Sequence, residues 1–184
     1  MQFTKMHGSG NDYVVLNGLE FEADWQDLAR AMCNRHIGVG ADGILLVLPS
    51  DEADIRMRMF NPDGSEGEMC GNGIRCLAKY VLERNIVHQD TRALSVETMA
   101  GIRILEPTWQ DSKVITVKVA MGEPELRPDM IPVRLPESTT GGPVLDFPIK
   151  IGNIGLELTF VSMGNPHAVA FVKTPVKSFP LGSI

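Results

Sequence analysis

Residues 69–76 read Met-Cys-Gly-Asn-Gly-Ile-Arg-Cys, MCGNGIRC, a thiol followed at once by Gly-Asn-Gly where an apolar helical pattern begins. Ile74, Leu77, Ala78 and Val81 recur at helical spacing, one buried stripe, and Asn85 can end the helix. The first N–H groups of a helix lack intrahelical partners and carry the positive end of its dipole, so an anion is welcome there. A thiol at that point is biased toward its thiolate. Gly71 and Gly73 carry no side chain and leave the backbone open to a ligand. The stretch thus offers an activated thiol beside N–H donors, which suits a carboxylate-bearing substrate. The competing reading is a small buried cysteine at a tight turn. Cys76, inside the helix, and Cys33, at the edge of another apolar stripe, read as core packing.

Upstream, Phe3 to Met6 and Tyr13 to Leu16 read as short strands around the glycine-rich turn HGSGND. Asp24 can cap a helix running to about Arg35, with Trp25, Leu28, Ala29 and Met32 on its buried face. Gly38, Gly40 and Gly43 match G-x-G-x-x-G in letters only. A dinucleotide fingerprint follows a strand and opens a helix, whereas these glycines follow a helix and lead into a strand, Ile44 to Leu48. Ile55, Met57 and Met59 alternate with Arg56, Arg58 and Phe60, as in a half-buried strand, and Asn61-Pro62-Asp63-Gly64 is a turn. Downstream, Leu94 to Glu97, Ile102 to Leu105 and Val114 to Val119 read as strands, with Met99 to Gly101 a hairpin turn. Many strands with only two helices predict an α+β fold rather than a doubly wound sheet.

A boundary is expected near Val119, dividing a first half (1–118) from a connector and second half (119–184). The stretch MGEPELRPDMIPVRLPESTTGGP holds five prolines and three glycines. Strands resume at Val144 to Ile151, Leu156 to Val161 and Ala168 to Val172. The ending FPLGSI has no helix and no closing strand, which suggests a cut end and an incomplete second half.

The 184 residues, 43% apolar and 22% charged, suit a globular chain with a core. A net charge of −6 without a Lys/Arg cluster argues against nucleic acid or an anionic membrane as partner. MQFTKMHG lacks the features of a signal peptide, and no apolar run approaches the roughly 20 residues needed to span a bilayer. Three cysteines without disulfide or zinc spacing predict a cytoplasmic protein with reduced thiols, and scattered histidines give no metal site.

Asn11, Asn61, Asn72 and Asn165 each sit among Gly, Pro or Asp in predicted loops. An amide both donates and accepts, so several together could hold the ammonium and carboxylate of a free amino acid. Asn also simply favours turns. Arg75 can be read as covering the helix surface, and His167, after Asn-Pro, as ending a loop.

Four blocks in order, KMHGSGNDYVV, RHIGVGADGILLV, FNPDGSEGEMCGNGIRCLAKYV and VSMGNPHAV, make the chain resemble the diaminopimelate epimerases from Met1 essentially to its last residue. The resemblance implies two similar halves, each with strands wrapped around a central helix, and a pyridoxal-independent isomerase without a cofactor. It implies that Cys70 is a catalytic thiol, that Asn11, Asn61, Gly71, Asn72 and Asn165 bind substrate, and that His167 tunes the thiols. Some relatives carry Gln in the GADG block where this chain has Gly43, with Asp42 beside it. A second catalytic cysteine and a substrate-gripping Glu-Arg pair would lie beyond position 184, so the 184-residue chain is expected to be inactive alone.

The implied reaction interconverts LL- and meso-2,6-diaminoheptanedioate in lysine biosynthesis: a thiolate removes the Cα proton on one face and a thiol returns one on the other. The alternatives are a related isomerase of the same fold, such as a proline-racemase-like enzyme, and a non-catalytic binding fragment. Family habit suggests a homodimer, for which no surface stripe argues.

Overall fold

The computed structural model describes residues 1–88, 92–136 and 142–179. The chain divides into two compact units, Met1–Met121 and Gly122–Ile184. The stretch 137–141 of the Pro/Gly-rich connector and all but Phe179 of the FPLGSI ending lie outside the described residues.

The first unit is an α+β arrangement built on an eight-stranded mixed sheet. Strands β1 (Thr4–Gly8) and β2 (Asn11–Asn17) form a hairpin whose two turn residues, Ser9 and Gly10, both have positive φ. That geometry matches the twist of a two-residue hairpin. Helix α1 (Trp25–Cys33) begins at Asp24, whose carboxylate accepts from the Asp27 N–H at 3.0 Å. It ends two residues before the expected Arg35. Asn34 Oδ1 accepts from the N–H groups of His36 and Ile37, and such a side-chain turn competes with further helix. The early end frees Arg35 for the charged cluster described below.

The glycines after α1 serve the turn into β3 (Gly43–Leu48). Gly40 has φ +74°, and a Cβ at Gly38 would overlap the Ala31 carbonyl. β3 runs parallel to β2 and antiparallel to β4 (Ile55–Phe60). The short β5 (Glu66–Gly67) pairs with β4 after the Asn61–Gly64 turn. Helix α2 (Gly71–Glu83) crosses next. β6 (Leu94–Thr98), β7 (Gly101–Gln110) and β8 (Lys113–Val119) then form a meander, with β6 parallel to β4.

In space the order is β1-β2-β3-β4-β6-β7-β8, and α2 touches both outer strands, β1 and β8, as well as β2, β3 and β7. The sheet therefore curls around one helix. The burial of α2 agrees: Ile74, Leu77, Ala78 and Val81 are fully buried as their spacing requires, and Cys76, Tyr80 and Leu82 are buried too. Its end is a Schellman motif, with Asn85 at φ +54°, Ile86 N–H on the Val81 carbonyl and Asn85 N–H on that of Leu82.

Two apolar clusters share the sheet. Val15, Leu45, Val47, Ile55 and Met57 face α2, while Val14, Leu16, Ile44, Leu46 and Phe60 pack on the side of α1. The half-buried reading of β4 holds for buried Ile55 and Met57 against exposed Arg56 and fails at Phe60. Phe60 is completely buried, because α1 covers the face that alternation assigns to water, and the Arg58 guanidinium lies 4.9 Å from the Phe60 ring centre.

The second unit contains an antiparallel sheet in the order β11-β10-β9, formed by β9 (Phe147–Ile151), β10 (Ile154–Ser162) and β11 (Pro166–Ala170). β9 starts later than its apolar run suggests, after Asp146 at φ +52°. β11 lies two residues upstream of the expected 168–172. The tight Met163–Asn165 turn, with Gly164 at φ +96°, sets Pro166 opposite Ser162 and fixes the register. No helix among the described residues is long and apolar enough to cross a membrane.

Candidate functional site

Cys70 is the N-cap residue of α2, with extended backbone (φ −138°, ψ 114°). Its Sγ accepts from the Gly73 N–H at 3.4 Å, so the thiol takes the place usually held by Ser or Asp. It is partly exposed and forms no disulfide. The other two thiols are buried. Burial raises Cys76 above the usual thiol range and is the main cause lifting Cys33 to about 11, so both stay protonated near neutral pH.

The glycines around Cys70 divide the work differently from the expectation. Gly73 is buried, and a Cβ there would sit 3.1 Å from Leu45 Cδ2, so Gly73 serves packing of helix on sheet rather than ligand approach. A Cβ at Gly71 would meet only ordinary contacts, from 3.5 Å, with the Met121 side chain. A third glycine matters more. A Cβ at Gly8 would lie 2.9 Å from the Asn72 carbonyl oxygen, so the end of β1 rests directly on the start of α2.

That close approach brings together residues that are 61 apart in sequence. Asn72 Nδ2 donates to Asn11 Oδ1 at 2.6 Å, and Asn11 Nδ2 donates to Asp42 Oδ2 at 3.1 Å. Arg75 donates to Asn72 Oδ1 and, at 3.4 Å, to Ser9 Oγ. Arg75 therefore ties the helix start to the hairpin tip instead of only covering the helix. Beyond Asp42, Arg35 donates to Asp42 at 2.7 Å and to both oxygens of Asp12 at 2.7 and 3.1 Å, with Lys5 3.1 Å from Asp12. The Arg35 guanidinium is the leading cause holding the Asp12 carboxyl far below the usual carboxylate range. These bonds fix which way each amide points, because the charged groups at the two ends are donor-only and acceptor-only.

Asn61 is held in its own turn. Its amide donates to Ser65 Oγ at 2.9 Å, and no bond joins it to Cys70. In the second unit, Asn165 Oδ1 and His167 Nε2 are 3.0 Å apart at the start of β11. At Gly43, a side chain has no room: a Cβ would fall 2.8 Å from the backbone oxygen of Phe60. Among the described residues no group of three or more His, Cys, Asp or Glu is placed to hold a metal ion.

One neighbour of the thiol escaped the sequence reading. Tyr13 is buried in β2, and its hydroxyl lies 2.8 Å from Cys70 Sγ. Burial, followed by the bond to Cys70, pushes the phenol well above its ordinary range, so the hydroxyl stays protonated. The available signal was a tyrosine inside the apolar run Tyr13-Val14-Val15-Leu16, since a buried phenol needs a polar partner.

A curled sheet wrapped around one helix that starts at a thiol defines a known class of fold. A solved hydroxyproline epimerase from Agrobacterium vitis superposes with a TM-score of 0.69 over 92% of this chain and 51% of that one, at 17% identity. Within the class, the family model for diaminopimelate epimerase matches residues 3–127, and the chain belongs to that family. It is 48% identical to the diaminopimelate epimerase of Acetivibrio thermocellus over all of its length, and 49% identical to that of Desulfovibrio desulfuricans over 94% of it. The chain spans 64% and 61% of the length of these two relatives.

Proposed function

We propose that this chain contributes one catalytic thiol and one substrate cradle to an epimerase that interconverts LL- and meso-2,6-diaminoheptanedioate. The observation that carries the reading is Cys70 as the cap of α2, with the Asn72–Asn11–Asp42 amide chain fixed beside it. Removing a Cα proton without an electron sink places charge on the α-carboxylate. N–H groups at a helix start can meet that charge without reorganising. Gly71 and Asn72 supply such groups, and Asn11 keeps one amide hydrogen free of the network for the substrate. The family resemblance implies that Asn61, Asn165 and His167 also serve the reaction, His167 as the group that tunes the thiols. The substrate is a small diamino dicarboxylic acid, and the setting is the reducing cytoplasm, which suits three unpaired cysteines. No cofactor, nucleic acid or membrane is part of this reading; a homodimer is.

Two-face proton transfer needs two accessible thiols, and Cys33 and Cys76 are buried. The 184-residue chain by itself is therefore expected to react at Cys70 without epimerising. The test is mass spectrometry after treatment with an aziridine mimic of the substrate. An adduct confined to Cys70 supports the reading, whereas a folded chain with no adduct counts against it. Conversion of LL- to meso-diaminoheptanedioate by a Cys33→Ala/Cys76→Ala chain would overturn the one-thiol account. A proline-racemase-like specificity has only the shared fold in its favour. Protection of Cys70 from alkylation by LL-diaminoheptanedioate and not by proline separates the two.

A further inference from the structure

We propose that Tyr13 is a positioning residue for the Cys70 thiol, its buried hydroxyl partnering Sγ in both of the protonation states that a proton-transferring thiol must visit. The role in turnover rests on the epimerase reading; the contact itself does not.

The geometry is specific. The Tyr13 ring is in the core, opposite Gly43 in the β2–β3 pair, and its hydroxyl hydrogen can rotate about the C–O bond without moving the ring. At 2.8 Å the Oη–Sγ pair is short for a bond to sulfur. When Cys70 is a thiolate, Tyr13 donates its hydrogen to Sγ. When Cys70 is a thiol, the phenol oxygen can accept the S–H. A hydroxyl is both donor and acceptor, so the switch requires no heavy atom to move. A lysine could only donate, and a phenylalanine could do neither. The second partner of Sγ, the Gly73 N–H, favours the thiolate alone. Asp42 and Cys76 act on the phenol, and Arg75 acts in turn on Cys76. Replacing the phenol leaves all three in place.

The balance of the two forms is what a reversible two-thiol reaction has to control. Without the phenol, the thiolate loses a short buried donor and Sγ is free to rotate away from the face of the substrate. Tyr13 thus acts on the reaction through Cys70 rather than on the substrate.

The test is Tyr13→Phe in the 184-residue chain, with iodoacetamide alkylation of Cys70 followed by peptide mapping across pH. The expected result is a midpoint for Cys70 alkylation about one pH unit higher, the loss of roughly one hydrogen bond to a charged group. Cys33 and Cys76 should stay unlabelled, which reports that the fold is intact. Tyr13→3-fluorotyrosine keeps the ring and strengthens the donor, and should move the midpoint down. An unchanged midpoint in the folded Phe variant overturns the proposal. If Tyr13→Phe opens the fold, seen as labelling of Cys33 and Cys76, the fluorotyrosine variant decides, and an unmoved midpoint there overturns it. These outcomes are independent of the aziridine adduct. An adduct without a pH shift removes Tyr13 and leaves the epimerase reading, and a shift without an adduct does the reverse.

Discussion

The two units of this chain differ in what their strands pack against. In the first, a sheet is covered by α2 on one side and by α1 on the other. In the second, β9, β10 and β11 have no helix of comparable length against them among the described residues. Of the apolar side chains buried among those residues, all but Ile131 and Val144 lie in the first unit. Phe171, just past β11, is 91% exposed. Both units have well-paired strands, so backbone pairing is not what separates them. The difference teaches that strand pairing does not by itself make a deep core, which here accompanies a helix closing over the sheet.

Deleting part of that helix should have the largest effect. Leu77 is completely buried on α2, and Leu77→Ala removes its side chain from the centre of the curl. A loss of about 3 kcal/mol is expected from lost transfer energy and the cavity left behind. Both tryptophans, Trp25 and Trp109, are in the first unit, so their fluorescence during urea unfolding reports that unit. Amide exchange adds the contrast: α2 should be the slowest segment and β10 much faster. If Leu77→Ala speeds β10 as much as α2, the units unfold as one and the comparison fails.

A smaller loss is expected on enlarging Gly43. A Cβ there meets the Phe60 carbonyl, which is backbone and cannot swing aside. Gly43→Gln should cost about 1–3 kcal/mol as an overpacking strain between β3 and β4. It should also weaken the site, because Gly43 follows Asp42 directly. An unchanged urea midpoint would show that the β3–β4 pair can spread, and that the first unit is less tightly set than its buried faces imply.

The parts legible from the sequence are those whose signal is periodic. The stripe of α2, the Asp24 cap, the Ser9-Gly10 turn and the run into β3 were all readable from spacing and turn chemistry. What was not readable depends on contacts made in three dimensions. Phe60 looks solvent-facing by alternation and is buried because α1 lies over it. β7 runs on through Pro107, which is tolerated because β6 pairs only with residues up to Leu105 and leaves that side open. At the site, Cys70 and Asn72 stand out because thiol and glycines are adjacent. Tyr13 does not, because its partner lies 57 residues away, and Arg35 and Asp42, seven residues apart and bonded to each other, take their remaining partners from 23 to 31 residues away. Gly73 was misassigned for the same reason: only the position of Leu45 shows which side of the helix its missing side chain faces.

The smallest effect concerns charge and again separates the units. In the first, Asp12 accepts from Arg35 across 23 residues; in the second, Glu125 pairs with Arg127 two residues along. The Asp12 carboxyl is held far below its ordinary range by Arg35 first, so its folded form binds a proton less readily than the unfolded chain. Such a group stabilises the fold at pH above its unfolded value, near 3.9, and that contribution is lost as pH falls through the lower folded value. Glu125 is also depressed, by Arg127, but that partner is only two residues along the chain. Removing the long-range partner should therefore move the acid limb of the first unit only. Arg35→Met is expected to start the loss of tryptophan fluorescence at higher pH than in the unaltered chain, with the two curves converging at low pH. Arg127→Met should leave that curve where it is. High salt should shrink the difference, since these groups are close to solvent. Equal shifts from both substitutions would mean that the Asp12 cluster adds only local charge and does not hold the β1–β2 hairpin to the turn after α1.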